Sequence, residues 1–235
     1  MSASAVKQEL EALGRPEKAQ HLAGFFKTGP GEYGEGDVFV GVTVPEQRRI
    51  ARKYVELSLD EVGLLLDDRI HECRLTALLI LVRKFELAHP DEKKIIFDFY
   101  LSRTKCVNNW DLVDLSAPKI VGAYLLVNPG QRTILYRMSK SADLWERRIS
   151  IMGTFPLIKK GQFEDTLKIA AELFPDKHDL IHKAVGWMLR EVGKVDLVTE
   201  EIFLIQHYKI MPRVMLRYAI EKFEPLKRKY YLKRD

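Results

Sequence analysis

A carboxylate and a tryptophan stand four residues apart, as Trp110 and Asp114, directly after Asn108 and Asn109. Residues at i and i+4 share one face of a helix, so the carboxylate and the ring would be presented together. An anion and an electron-rich ring face can both stabilise positive charge that develops on a ligand. Aspartates in a first helical turn also interact favourably with the helix dipole, so a purely structural role for Asp111 and Asp114 stays open.

The position of Asp114 recurs along the chain with the opposite charge. When five helix-like segments are aligned, the shared position holds four basic residues and one acid: Arg74, Asp114, Arg148, Lys183 and Arg213. Their intervals of about 30 to 40 residues are typical of repeats built from two helices. Stacked repeats place their second helices along one concave surface, so these side chains are predicted to form a row. The last step of the alignment can slip by one turn.

A basic row suits a polyanion, and its members differ in how well they suit phosphate. Arg148, Lys183 and Arg190 are the best candidates, because their neighbours at helical spacing are aromatic rather than acidic. The remaining candidates belong to the row or flank it, and they are Arg74, Arg147, Arg213 and Arg217. Scattered charged residues usually form a solvent-exposed face without a ligand. Several of these basic residues are expected to be surface charges of that kind.

Tryptophan accompanies the row in a second place. Trp187 lies four residues after Lys183, and Trp110 lies four residues before Asp114. A tryptophan in a helix is usually part of the core, but rings beside Lys and Arg suit stacking on bases or packing on sugars. Trp145 is interpreted as core between helices.

A lone carboxylate limits the hydrolytic chemistry that Asp114 could perform. Cleavage of a glycosidic bond usually needs an acid for the leaving group and a second carboxylate. One carboxylate is enough when the leaving group needs no protonation, as with a purine alkylated at N3 or N7, which is already cationic. Asp114 would then stabilise the charge that develops on deoxyribose and orient water, and the basic row would offset its repulsion of phosphate.

Other apparent motifs carry no chemistry. The run from Gly29 to Gly34 has the spacing of a glycine-rich phosphate loop, but it follows a helix and contains an acid, so it is interpreted as an ordinary loop. His178 and His182 are four residues apart without an apparent third ligand, so no metal site is predicted. The chain also contains no P-loop and no serine or cysteine nucleophile motif.

Helical periodicity dominates the chain and predicts an all-α fold, a helical-repeat solenoid. The predicted helices span 4–13, 17–28, 45–57, 59–67, 70–87, 91–104, 110–127, 131–139, 143–160, 162–173, 178–194, 198–209 and 212–223. Residues 37–43 are predicted to run extended into a helix N-cap at Thr43, with Pro45 in the first turn. We expect one repeat domain over residues 1–225, followed by a loosely attached basic tail at 226–235.

Composition and charge set broad limits. The 235 residues are 46% hydrophobic and 30% charged, as in soluble globular proteins. The last ten residues hold five Lys or Arg and one Asp, so most of the net charge of +5 lies there, and only the placement of charge can indicate a partner. No apolar run reaches membrane length, and no signal peptide is apparent. Cys73 and Cys106 lack disulfide or zinc spacing, which favours a reducing cytoplasm.

Four segments together resemble the AlkD-type DNA alkylation repair glycosylases. These segments are 44–49, 110–114, 145–148 and 183–191, and the resemblance extends over roughly residues 15–225. It implies an all-helical, HEAT-like solenoid that holds duplex DNA in a concave cleft. It also implies monofunctional release of cationic bases such as 3-methyladenine and 7-methylguanine, without a metal or cofactor.

The resemblance also implies roles for individual residues. Asp114 would be the catalytic carboxylate, Trp110 and Trp187 would flank the deoxyribose of the lesion, and Arg148 would hold a backbone phosphate. Members of the family often present a tyrosine near the position of Phe25, and a phenylalanine can pack on a sugar or base but cannot donate a hydrogen bond.

Two alternatives to a glycosylase stay open from the sequence. The chain could be a non-catalytic relative that binds nucleic acid through the same surface, or a helical scaffold that binds proteins. In either case a monomer is expected, because a solenoid clamp needs no second copy. The expected location is the cytoplasm, in association with the nucleoid through DNA.

Overall fold

Helices form the regular structure of the chain, as the periodicity predicts. The computed structural model describes residues 1–233, and within them the only β-type pairing is an isolated bridge between Val38 and Ile70. The predicted all-α class is therefore confirmed. The chain divides into two compact units, Met1–Ser116 and Ala117–Asp235. The expectation of one repeat domain over residues 1–225 stays a prediction.

The first unit is built around its fifth helix. Its helices are α1 (Ala3–Ala12), α2 (Pro16–Phe25), α3 (Val44–Lys53), α4 (Leu59–Leu66), α5 (His71–Leu87), α6 (Pro90–Ser102) and α7 (Trp110–Ser116). The segment from Leu75 to Val82 is buried throughout, because a helix that is apolar on nearly every side must be enclosed by others. Helices α1, α3, α4, α6 and α7 pack against α5.

The extended segment before α3 is fixed by a buried carboxylate. Glu72 accepts hydrogen bonds from three successive backbone N–H groups, the closest being that of Gly41 at 2.8 Å. Gly41 has a φ of 87°, a conformation that residues with a Cβ rarely adopt. Thr43 then caps α3 in a capping box with Glu46, and Pro45 lies in the first turn. The predicted N-cap at Thr43, with Pro45 in the first turn, is thus confirmed, whereas the predicted extended run is interrupted at Gly41.

The second unit is built around the long helix α13. Its helices are α8 (Ala123–Val127), α9 (Thr133–Ser139), α10 (Leu144–Met152), α11 (Phe155–Lys159), α12 (Glu164–Glu172), α13 (Asp179–Val195), α14 (Leu197–His207), α15 (Arg213–Ala219) and α16 (Pro225–Leu232). Helices α10, α11, α12, α14 and α15 pack against α13. The crossing with α15 requires Gly186, because a Cβ there would lie 2.3 Å from the carbonyl oxygen of Met215. Trp145 is 7% exposed, so its interpretation as core is confirmed.

The aligned charged positions fall on five helices, α5, α7, α10, α13 and α15. Asp114, Arg148 and Lys183 are each the fifth residue of their helix, and Arg74 is the fourth. Arg213 is the first residue of α15, and the fifth is Arg217. The last step of the alignment therefore slips by one turn, and Arg217 is the positional equivalent of the other four.

Two predicted helices are interrupted. The one over residues 143–160 is divided into α10 and α11 by a turn at 153–154, and the one over 110–127 is broken near its middle. α7 ends at Ser116, and a π-helical turn at Pro118–Gly122 precedes α8. Proline has no N–H to donate to the preceding turn, and wider turns of this kind accommodate the missing bond.

The segment expected to be a loose tail is largely a packed helix. Residues as far as Leu232 belong to α16, and Tyr231 is 3% exposed with edge-to-face contacts to Tyr208 and Phe223. These aromatic contacts hold the segment in spite of its cations. The end of the expected tail, 234–235, lies outside the described residues. Among the residues that are described, no helix is long and apolar enough to cross a bilayer.

Candidate functional site

Asn109 fixes the start of α7 and with it the position of Trp110. Its buried side chain accepts a hydrogen bond from the backbone N–H of Trp110 at 2.8 Å and donates one to Oδ2 of Asp37 at 3.2 Å. Asp114 follows one turn later on the same face of α7, and both side chains are partly exposed. The predicted pair of carboxylate and tryptophan is therefore present on one helix and reachable from solvent.

The charge of Asp114 acts on a buried tyrosine. The hydroxyl of Tyr100 lies 3.0 Å from Oγ of Ser116. Burial raises the pKa of Tyr100, and the negative charge of Asp114 raises it further, although the hydrogen bond with Ser116 opposes the change. Tyr100 is thus held neutral beneath the face that carries Asp114.

An aromatic cluster holds the ring of Trp110. Phe26 stacks on it with ring centroids 5.3 Å apart, and Phe25 meets it edge to face at 6.0 Å. Phe26 also stacks on Phe39 at 5.2 Å and is buried, whereas Phe25 is 57% exposed. Phe25, a predicted DNA contact, therefore extends the exposed surface beside Trp110.

A buried histidine joins three segments of the first unit. Nδ1 of His71 lies 3.0 Å from Oδ2 of Asp37, and Nε2 lies 2.8 Å from Oδ2 of Asp111. Phe39 stacks on the ring at 4.6 Å. Burial opposes a charged ring, but the hydrogen bonds with Asp111 and Asp37 outweigh it and raise the pKa of His71 to about 9. A protonated His71 therefore ties the loop before α3 and the first turn of α7 to α5.

Arg74 belongs to this buried network and not to an exposed row. Its guanidinium donates to Oδ1 of Asp37 at 2.5 Å and to the carbonyl oxygens of Asp68 and Arg69 at 2.8 and 3.1 Å. Only 4% of Arg74 is exposed, because it lies on the central helix of the unit. These bonds engage the guanidinium of Arg74 within the protein, and its predicted contact with phosphate stays a prediction.

Sequence reasoning missed the network of His71, Arg74, Asp37 and Asp111. A signal for it exists in the sequence, since charged residues directly precede the apolar run of α5. Charged groups on a helix that must be buried need partners. Their partners lie in a loop and on another helix, distant in sequence, and nothing local identifies them.

Two predicted phosphate contacts in the second unit, Arg147 and Arg148, are largely engaged within it. Arg147 donates from Nε to Oδ2 of Asp176 at 2.6 Å and from a terminal nitrogen to the carbonyl oxygens of residues 141 and 142. Arg148 is 5% exposed, and its guanidinium donates to the carbonyl oxygen of Leu180 at 2.5 Å. Both arginines thus brace α10 against the segments around α13.

Lys183 and Arg190 are partly exposed on α13. Lys183 forms an ion pair of 2.5 Å with Asp179, one turn earlier, and both side chains face solvent. The expectation that its neighbours at helical spacing are not acidic is therefore wrong. Arg190 forms an ion pair with Glu221. An exposed ion pair such as Lys183 with Asp179 contributes little to stability. Replacing Asp179 by a phosphate as the partner of Lys183 would therefore cost little free energy.

Trp187, also on α13, is anchored by a buried acid. Its indole N–H donates to Oε1 of Glu191 at 3.2 Å. The same carboxylate accepts hydrogen bonds from Nζ of Lys159 at 2.9 Å and from Nζ of Lys194 at 2.5 Å. Burial would raise the pKa of Glu191, but the two lysines lower it. The ring of Trp187 is thereby oriented while part of it stays exposed.

The two arginines of α15 are in different situations. Arg213 donates to the carbonyl oxygen of Leu232 at 2.5 Å and so holds the end of α16. Arg217, the fifth residue of α15, is exposed. Arg217 is therefore the better candidate for a contact outside the protein.

The paired histidines have structural partners. Nδ1 of His178 accepts the N–H of Leu180 at 3.2 Å, and Nε2 of His182 lies 2.6 Å from the carbonyl oxygen of Asp176. In the part of the chain that the structure describes, no group of three or more metal-ligating side chains is assembled.

Comparison with known protein families gives one match over nearly the whole chain. A family model described as "DNA alkylation repair enzyme" matches residues 6–223 of the chain. A search of curated proteins finds no significant match.

Three solved structures have a similar fold. A protein from Enterococcus faecalis described as a predicted DNA alkylation repair enzyme superposes with a TM-score of 0.72 at 17% identity, over 90% of this chain and 97% of that one. AlkD2 from Streptococcus mutans gives 0.55 at 16% identity, over 95% and 97%. The smu.31 protein of Streptococcus mutans UA159 gives 0.53 at 19% identity, over 94% and 98%. At these identities the likeness supports the fold alone.

Proposed function

Since the chain belongs to the DNA alkylation repair enzyme family, we propose that it is a monofunctional DNA glycosylase for cationic alkylated purines in duplex DNA. The bases released would be of the 3-methyladenine and 7-methylguanine type. The observation that carries this proposal is the pair on α7, in which a partly exposed Asp114 lies one turn from a Trp110 that is fixed by Asn109 and Phe26.

The reaction requires little from the protein beyond electrostatics. The bond between the alkylated purine and C1′ of deoxyribose breaks with its electron pair leaving on the purine, which thereby becomes neutral. The positive charge moves to the sugar, where the carboxylate of Asp114 stabilises it. A water molecule then adds to C1′ and releases a proton, which leaves an abasic site and a free base.

The tryptophans are proposed to contact the deoxyribose. The ring of Trp110 is held by stacking on Phe26, and that of Trp187 by the hydrogen bond to Glu191. Ring faces held in this way are preorganised to stabilise a cation, because no reorientation is needed during the reaction.

Phosphate contacts are proposed for the accessible cations of the second unit. Among the residues predicted from the sequence, these are Lys183, Arg190 and Arg217, each at least partly exposed. Arg148 keeps the phosphate role that the family resemblance implies, and Arg148→Ala tests it, since a protein that binds no DNA through this residue would lose no affinity. The proposed enzyme needs no metal or cofactor.

The substrate class can be tested with defined duplexes. One duplex carries a single 7-methylguanine, which is cationic, and a matched duplex carries hypoxanthine, which is uncharged at neutral pH. We expect free base from the first duplex only, as measured by chromatography, because no side chain is assigned to protonate a neutral leaving group. Release of hypoxanthine at a comparable rate would contradict the mechanism, and release of neither base would contradict the enzyme.

A further inference from the structure

Three arginines, Arg48, Arg49 and Arg52, are exposed on α3. The opposite side of the helix is buried and is formed by Gln47, Ile50 and Ala51. Successive residues of an α-helix are about 100° apart, so the three arginines fall within an arc of about 100° on the outward side. They therefore form one patch, the α3 arginine face.

The charge of the α3 arginine face is not neutralised within the protein. Glu46 is held by Arg15 at 2.6 Å, and Glu9 is held by Lys53 at 2.8 Å. The hydrogen bond from Lys53 lowers the pKa of Glu9, and the nearby charge of Arg49 adds to this effect. Since both acids are already matched by another cation, three arginine charges remain.

Several other cations of the first unit form ion pairs. Among its described residues the following pairs are formed: Arg74 with Asp37, Lys7 with Asp68, Arg83 with Glu86, Lys94 with Asp98 and Arg103 with Asp67. Within the same residues, Arg48, Arg49 and Arg52 form no side-chain hydrogen bond or ion pair. The α3 arginine face is thus a cluster of three exposed cations on one helix, without ion-pair partners among the described residues.

Such a patch weakens the protein that carries it. Like charges at i, i+3 and i, i+4 repel each other by about 0.2–0.5 kcal/mol per pair. Arg48 with Arg52 and Arg49 with Arg52 are pairs of this kind. A polyanion removes the repulsion, and the guanidinium group matches phosphate oxygens with two parallel hydrogen bonds.

We propose that the α3 arginine face binds the phosphate backbone of duplex DNA. The inference rests on the proposed function, because it takes DNA as the ligand. Side chains at i and i+4 have Cβ atoms about 5–6 Å apart, so neighbouring arginines can reach successive phosphates of one strand.

Salt dependence of binding tests the proposal. The variant Arg48→Gln/Arg49→Gln/Arg52→Gln keeps good helix formers on an exposed surface, so its fold is preserved. The matched control, Arg83→Gln/Lys93→Gln/Lys94→Gln, removes the same amount of charge from α5 and α6. Affinity for an undamaged duplex is measured by fluorescence anisotropy at several salt concentrations, and base release from methylated DNA is measured in parallel.

The slope of log affinity against log salt should fall by about 2 to 3 in the α3 variant, because each lost phosphate contact removes about 0.9. The control should keep nearly the wild-type slope. Equal slopes in the two variants would overturn the proposal, even if base release continues and the glycosylase function stands. A reduced slope in the α3 variant supports the proposal even if the wild type releases no base, in which case only the glycosylase function fails.

Discussion

At Asp114 the proposed chemistry depends on a negative charge placed beside a ligand that is itself charged. A carboxylate among phosphates is unfavourable unless something repays the repulsion, and the developing cation of a departing alkylpurine does so. The surroundings of α7 support this role, since Asn109 and Phe26 fix the turn on which Asp114 and Trp110 stand.

The ring of Trp110 should contribute to the rate of base release. A cation over an aromatic face gains about 0.5–2 kcal/mol, so Trp110→Ala should slow release between about 2-fold and 30-fold. Trp110→Phe keeps a ring that can stack on Phe26, so its rate of base release should lie between those of the wild type and Trp110→Ala. Single-turnover kinetics with saturating protein measures the effect, and an unchanged rate in Trp110→Ala would remove the ring from the mechanism.

The buried carboxyl of Glu200 destabilises the folded protein when it is ionised. It is 1% exposed, and burial, with a further contribution from Glu201, raises its pKa to about 8. A carboxyl whose pKa is raised on folding stabilises the protein most below its ordinary pKa of 4.5, and this contribution is lost as the pH rises through about 8.

Glu200→Gln should therefore be more stable than the wild type above pH 8. We expect a gain of about 1 kcal/mol or more, since one pKa unit corresponds to about 1.4 kcal/mol. Urea unfolding at pH 5 and at pH 9 measures it, and a variant less stable than the wild type at pH 9 would show that the carboxylate has a partner when ionised.

At the scale of elements, His71 couples α5 to α7 through Asp111 and to the loop before α3 through Asp37. Its pKa is raised from 6.5 to about 9, so its contribution to stability is complete below about pH 6.5 and is lost as the pH rises through about 9.

His71→Gln should abolish this pH dependence. At pH 6 we expect the variant to lose on the order of 3 kcal/mol, because each pKa unit is worth about 1.4 kcal/mol. The loss should shrink towards pH 9.5, as measured by urea unfolding across the range. The exposed His21, changed to Gln, is the control and should leave the profile as it is. A constant loss at all pH values would mean that His71 acts by packing alone.

The crossing of α13 and α15 should be sensitive to a single methyl group. Gly186→Ala places a Cβ 2.3 Å from the backbone oxygen of Met215, and overpacking of this kind costs about 1–3 kcal/mol. Gly24→Ala, where nothing lies within 4 Å, should be neutral or stabilising. Thermal unfolding of both variants checks this, and equal melting temperatures would contradict the close crossing.

Local sequence signals predicted the elements well and their contacts poorly. Thr43 as an N-cap and Trp145 as core follow from capping chemistry and periodicity within a few residues. The burial of Arg74 depends on Asp37, which is distant in sequence. The slip from Arg213 to Arg217 depends on where α15 begins, a boundary that periodicity leaves open by a turn.

For the whole molecule, the all-helical fold and the family followed from the sequence, because long periodic segments and several motifs agree. The family match over residues 6–223 establishes repair of alkylated DNA as the setting. The residue proposed to perform the chemistry, Asp114, is chosen from the motif and its local geometry, so the proposal depends most on it.

The most direct test compares the wild type with Asp114→Asn on methylated duplex DNA. Asparagine keeps the size of the side chain and removes the charge. We predict that the variant binds the duplex at least as tightly, because a repulsive carboxylate is gone, and yet loses release of 3-methyladenine and 7-methylguanine. Equal release by the two proteins, at equal protein and DNA concentrations, would contradict the role of Asp114.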